Sequence, residues 1–227
     1  MIRNNYLQAL IFTCLVAVLA GACSKSNKGD DNPGPGPGPA PDTSLTNGSH
    51  LNNLQVSVNF ENGQKGTGVY IYADAPSYAP VAAPGEGFAC VDDVARALLY
   101  YVRSSSFATD KAIQQKAFGM TRFVLNMQSA NGYFYNFVQT GNLINKYGIS
   151  SINQPKWWSW RALQAFTEAT PIIKTKDAAL ARQMETATSK LMAAIKADLV
   201  NAPSTTALKD GIEIPQWLPE GPTRRLR

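Results

Sequence analysis

The stretch Val91-Asp92-Asp93-Val94-Ala95-Arg96-Ala97-Leu98-Leu99-Tyr100-Tyr101-Val102-Arg103 sets the architecture of this chain. Val91, Val94, Ala95, Leu98 and Val102 recur at the three- and four-residue spacing of one helical face. Asp93, Arg96, Tyr100 and Arg103 share the opposite face. The stretch predicts an amphipathic helix from about Asp92 to Arg103 that must bury its stripe against a partner.

The partners follow along the chain. A second helix is expected from about Asp110 to Gln128, with Ile113, Ala117, Met120, Val124 and Met127 at helical spacing. The turn Ser129-Ala130-Asn131-Gly132 closes it. A third is expected from about Trp157 to Ala169, stopped before Pro171, because proline breaks a helix interior. A fourth is expected from about Asp177 to Leu199, with Leu180, Met184, Ala187, Leu191 and Ile195 on one face. Ahead of these helices, Gln55 to Phe60 alternates polar and apolar, as does part of Gly68 to Tyr72, with turn residues between. The Pro- and Gly-rich stretch from Ala73 to Phe88 reads as loop. Residues 50–90 are thus a strand-loop segment, 91–200 a helical hairpin domain and 201–227 an irregular tail. The expected class is mainly α: antiparallel hairpins behind a short two-stranded or extended element. Four helices can close into a small bundle or form the first hairpins of a larger ring.

The N-terminus has a different character. Arg3 precedes an apolar run from Ala9 to Ala20. That run is well short of the roughly 20 residues a spanning helix needs, and reads as a signal h-region. It ends in Leu19-Ala20-Gly21-Ala22-Cys23, which resembles the lipobox of bacterial lipoproteins. The resemblance implies a signal peptide over residues 1–22 and lipid chains on Cys23, enough for stable anchoring. Residues 23–49 then form a tether built around Pro33-Gly34-Pro35-Gly36-Pro37-Gly38-Pro39, with too little apolar surface to make a core. Lys28-Gly29-Asp30-Asp31 also resembles the surface-export signals of outer-membrane lipoproteins. The expected location is the bacterial cell envelope, at the outer membrane.

Composition narrows the chemistry. The chain has 227 residues, 44% of them hydrophobic, and a formal charge of +5. Four of its cations, Arg3, Arg224, Arg225 and Arg227, sit at the extremities, so no basic face points to nucleic acid. Of the three cysteines, Cys14 lies in the signal and Cys23 at the lipobox, leaving Cys90 with no disulfide partner. His50 is the single histidine, which argues against a histidine-based metal site. No cofactor motif is present, and the glycines from Gly63 to Gly68 lack the helix and lysine of a phosphate loop.

Three stretches resemble the six-hairpin glycosidase type of helical toroid. Gly85-Glu86-Gly87-Phe88-Ala89-Cys90-Val91-Asp92-Asp93-Val94-Ala95-Arg96-Ala97 looks like the C-(T/V)-D-D-x-A-R-A signature that opens a hairpin there. Phe123 to Gln128, with Asn131-Gly132-Tyr133-Phe134-Tyr135-Asn136-Phe137, looks like the end of the next helix. Trp157-Trp158-Ser159-Trp160-Arg161-Ala162-Leu163 is similar to the W-x-x-R-A-L that starts a further one. The resemblance spans about Tyr70 to Ala169, less than half the chain. It implies an (α/α) ring of about twelve helices, on the order of 350 residues at ordinary helix and loop lengths. The chain is then expected to be a truncated member, a partial toroid.

The resemblance also implies carbohydrate chemistry on an oligo- or polysaccharide. Glycoside hydrolysis needs two carboxyls, and Asp92 and Asp93 are the candidates, with Arg96 able to hold one ionised. Acids in a first turn equally suit free N–H groups and the helix dipole. Asp74 and Glu86 are further carboxylates nearby in sequence. Tyr133, Tyr135, Trp157 and Trp158 are candidate sugar platforms, each also able to plug a core. Arg161, Gln164 and Glu168 share a helical face that reads as solvated. The expected function is a glycoside hydrolase-like lipoprotein, active or decayed; the alternative is a glycan-binding lipoprotein without turnover.

Overall fold

The computed structural model describes residues 47–200, 202 and 204–216, which belong to one compact unit. The expected signal peptide, the lipidation site Cys23 and most of the tether lie outside the described residues. A short helix α1 (Ser49–Asn53) leads into the hairpin β1 (Gln55–Asn59) and β2 (Lys65–Val69). A second hairpin follows, β3 (Tyr72–Asp74) and β4 (Ala79–Val81), then β5 (Ala89–Cys90). Helices α2 (Val91–Val102) and α3 (Lys111–Asn126) come next, then β6 (Phe137–Gln139) and β7 (Leu143–Ile144). Helices α4 (Trp157–Lys174) and α5 (Ala178–Val200) precede a last hairpin, β8 (Thr206–Lys209) and β9 (Ile212–Pro215).

This corrects the expected class. The fold is mixed α and β, with five helices and four small antiparallel sheets among the described residues. It is not mainly α and it is not a large helical toroid. The stretch from Ala73 to Phe88, expected as loop, carries β3 and β4 with Tyr72 opposite Val81. Alternation cannot reveal such strands, because three residues complete less than two periods. Strand β5 pairs with β6 across the whole α2–α3 hairpin, Cys90 facing Phe137, a partnership no local pattern announces. The 206–215 hairpin turns through Asp210 and Gly211, both at positive φ, a chemistry that Asp-Gly supplies.

The helices themselves follow their stripes. Val91, Val94, Ala95 and Leu98 of α2 are fully buried, and α2 packs between α3 and α4. Asp110 caps α3, its Oδ1 accepting from Ala112 N at 2.7 Å and Ile113 N at 3.2 Å. Asp177 caps α5 through Leu180 N at 2.8 Å. Helix α4 runs past its expected end, with Pro171 inside it. Proline leaves the carbonyl four residues back without its N–H partner. The turn persists because Ile173 beyond it is fully buried; burying such a side chain is worth about 1.5–3 kcal/mol. Phe123, Phe134 and Phe166 are the largest fully buried side chains.

The β1–β2 hairpin lies directly on α3, and two glycines permit it. A Cβ on Gly66 would stand 2.7 Å from the backbone of Phe123, and one on Gly119 would stand 2.2 Å from Thr67 Oγ1. Gly119 weakens the helix interior by about 1 kcal/mol relative to alanine, and that concession brings β2 onto α3. Strand β2 then delivers Val69 and Tyr70 to the start of α2.

Candidate functional site

The N-terminus of α2 lacks a capping side chain of its own. Asn136, just ahead of β6, supplies the caps: its carbonyl accepts from Val91 N at 2.9 Å and its Oδ1 from Asp92 N at 3.4 Å. Asn136 is itself buried and donates to the Ser150 carbonyl at 3.1 Å. The β5–β6 pairing thus fixes the turn that carries both aspartates.

From that turn the two acids diverge. Asp92 takes Arg96 Nη2 on Oδ2 at 2.8 Å and Arg161 Nε on Oδ1 at 2.9 Å. The Arg161 guanidinium lies over the Trp157 ring, 5.2 Å from its centroid. Its Nη1 donates to Gln164 Oε1 at 2.9 Å, and Gln164 Nε2 donates to Glu168 Oε1 at 3.2 Å. Arg103 pairs with Glu168 and draws that exposed carboxyl below its ordinary range. The face of Arg161, Gln164 and Glu168, expected to be merely solvated, is therefore a polar seam that ties α4 to α2. Residues on two parallel helix faces meet only when the helices pack side by side, which a single helix's periodicity does not state.

Asp93 turns the other way. The Cys90 thiol donates to its Oδ2 at 3.3 Å. Burial pushes the Asp93 carboxyl above the carboxylate range; the Cys90 hydrogen bond lowers it, the Asp92 charge raises it and Arg96 lowers it. The Cys90 thiol is raised in turn, first by its own burial and then by the Asp93 charge. A buried thiol of this kind is inert as a nucleophile. Asp93 opens onto a shallow cleft of about 340 Å³, lined also by Arg96, Tyr100, Tyr70 and Leu54. Arg96 belongs to both neighbourhoods, since it lines the cleft and holds Asp92.

The aromatic candidates separate by burial. Trp157 is 48% exposed and remains available as a platform beside Arg161. Tyr135 is half-buried. Trp158 and Tyr133 are core residues, 6% and 5% exposed, the packing alternative that the sequence left open for them. The Trp158 indole donates to the Phe134 carbonyl at 2.7 Å, and the Tyr133 hydroxyl donates to Asp198 Oδ2 at 2.6 Å. Their polar edges satisfy internal partners and serve packing. Asp74 is exposed on β3 and Glu86 sits in the turn before β5; neither lines the Asp93 cleft.

Sequence reading missed Tyr70, Asn136 and the anchoring role of Arg161, whereas Tyr100 lines the cleft on the face it shares with Asp93 and Arg96 in the sequence. Asn136 had a signal: a buried asparagine among aromatics must have backbone partners. Among the described residues, no helix is long and apolar enough to cross a membrane. No family model matches the chain, and no curated protein matches it in sequence.

Proposed function

We propose that this chain is a membrane-anchored, carbohydrate-active lipoprotein of glycoside hydrolase type, held at the outer membrane of a bacterial cell envelope, with its sugar site at the cleft where α2 begins. One observation carries the reading: Asp93 is a half-buried carboxyl with a raised pKa, opening on a cleft walled by two tyrosines and an arginine. A carboxyl whose pKa is raised by burial holds its proton to higher pH than a free one, the direction that protonation of a glycosidic oxygen requires. Tyr70 and Tyr100 offer flat apolar faces with polar edges, and Arg96 offers donors to sugar hydroxyls. Asp92 acts through others. It is a positioning residue that holds Arg96 at the cleft wall and Arg161 against Trp157.

The second reading, a glycan-binding lipoprotein without turnover, is favoured by a different observation. Asp93 is the one carboxyl among the described residues that line the cleft, and hydrolysis needs two across the bond. Turnover and binding of a panel of neutral and acidic oligosaccharides by the full chain separate the two. Loss of turnover with binding retained in Asp93→Asn supports the hydrolase. Binding without turnover in the parent chain supports the binding protein. Absence of both for every sugar refutes the carbohydrate reading.

A further inference from the structure

A second groove lies away from the Asp93 cleft, between α3 and α5. Its volume is about 750 Å³, within the roughly 300–1,000 Å³ of ordinary ligand sites. Its origin is legible in α5. Leu180, Met184, Ala187 and Leu191 are buried, and α5 packs mainly on α4. The adjoining stripe of Arg182, Gln183, Thr186 and Lys190 then faces Arg122 of α3 across open space, with Gln64 from the β1–β2 turn beside it. The end of the groove is fixed. Gln128 Nε2 donates both to the Gly132 carbonyl at 2.9 Å and to the Ala187 carbonyl at 2.8 Å, tying the turn after α3 to α5.

The lining has one sign. Arg122, Arg182 and Lys190 contribute three cations and no lining residue is acidic. Arg122 has a distant partner in Asp177 at 3.8 Å. Arg182 and Lys190 have no ion pair among the described residues, and the side-chain amides of Gln64 and Gln183 have no hydrogen bond there. Cations at this spacing attract repeated anionic groups, and free amides pair with hydroxyls. No aromatic ring lines the groove, so it lacks the stacking platforms that single-stranded nucleic acid uses.

We propose that the α3–α5 groove binds an acidic oligosaccharide, one bearing carboxylate or sulfate groups, as a second sugar site separate from the cleft. The choice of a sugar rests on the carbohydrate reading of the chain; the choice of an anion rests on the groove alone. Arg182 and Lys190 engage the anionic groups, and Gln64 and Gln183 engage the hydroxyls.

The test is calorimetric titration of the full chain in detergent with tetragalacturonate, and with maltotetraose as the neutral control. The expected result is binding of the acidic probe alone, weakening as salt rises from about 0.05 to about 0.5 M. Binding should fall at least tenfold in Arg182→Gln/Lys190→Gln, a double variant of exposed side chains whose thermal melt should match the parent. Asp93→Asn should leave it unchanged. Equal binding of both probes, or tetragalacturonate binding that survives the double variant, overturns the groove as its site. Binding lost in Asp93→Asn but kept in the double variant overturns the groove while upholding the cleft. An oligonucleotide that outcompetes tetragalacturonate, and is itself lost in the double variant, overturns the ligand class.

Discussion

Replacing Gly66 with alanine probes how closely the β1–β2 hairpin lies on α3. The added Cβ would stand 2.7 Å from both the Cα and the nitrogen of Phe123 and 3.0 Å from its Cβ. Two of those three atoms are helix backbone, and Phe123 is fully buried, so no rotamer change relieves the contact. Restoring ordinary separation requires the hairpin to lift by roughly 0.7 Å, and a gap of that size forfeits a quarter to a half of each affected dispersion contact. Overpacking of this kind costs about 1–3 kcal/mol, and a rigid backbone neighbour places Gly66→Ala at the upper end. At about 2–4 °C per kcal/mol for a chain of this size, the melting temperature should fall by roughly 6–12 °C. Gly63→Ala is the internal control. Gly63 has φ of +78° but nothing within 4 Å of its added Cβ, so it carries only backbone strain of about 1–2 kcal/mol. Far-UV circular dichroism melts of the full chain read both variants. If Gly66→Ala melts at or above Gly63→Ala, the direct approach of β2 to α3 is refuted.

Three further outcomes follow from single contacts. Asp93 has its folded pKa raised, so the native state holds a proton that the unfolded chain releases, and stability falls as pH climbs from the ordinary carboxylate value through the folded one. Urea titrations at about pH 4 and about pH 7 should therefore show Asp93→Asn gaining on the parent chain as pH rises; a constant or shrinking difference contradicts the shift. Trp158→Phe removes the donor to the Phe134 carbonyl at 2.7 Å, leaving a buried acceptor unpaired at a loss of about 1–3 kcal/mol, read by chemical denaturation; a change below about 0.5 kcal/mol would show that the bond contributes little. Cys90 is buried with its thiol pushed up, so peptide mapping after iodoacetamide should find it unlabelled in the native chain and labelled in urea; native labelling contradicts the burial.

The helices were legible because each buries a broad apolar stripe, and a stripe repeats often enough to show its period. Val91, Val94, Ala95 and Leu98 state their helix in the sequence and occupy its core in the structure. The sheets were less legible because their strands are two to five residues long and one pair, β5 with β6, joins across a long interval. Cys90 meets Phe137 only because α2 and α3 first fold back on each other. The architecture that the motif resemblance implied is not the one observed. Asp92 meets Arg96 and, through Arg161, Trp157, and Asp93 shares the cleft with Arg96, while the five helices among small sheets do not form the ring that the resemblance implied.

The parting of Asp92 and Asp93 follows from helix geometry alone. Successive residues on a helix point about 100° apart, so two neighbouring acids in one turn cannot both face a narrow cleft. One of them must look toward whatever packs on the adjacent side. Here that neighbour is α4, which presents Arg161, and Asp92 is drawn into the seam between the helices. Asp93 is left beside β5, where the Cys90 thiol and burial meet it. The pair therefore places one acid at the cleft and the other in the seam between the helices. A second carboxyl for hydrolysis would have to approach the cleft from another element, because the helix that carries Asp93 has no position from which its other aspartate can reach the same bond.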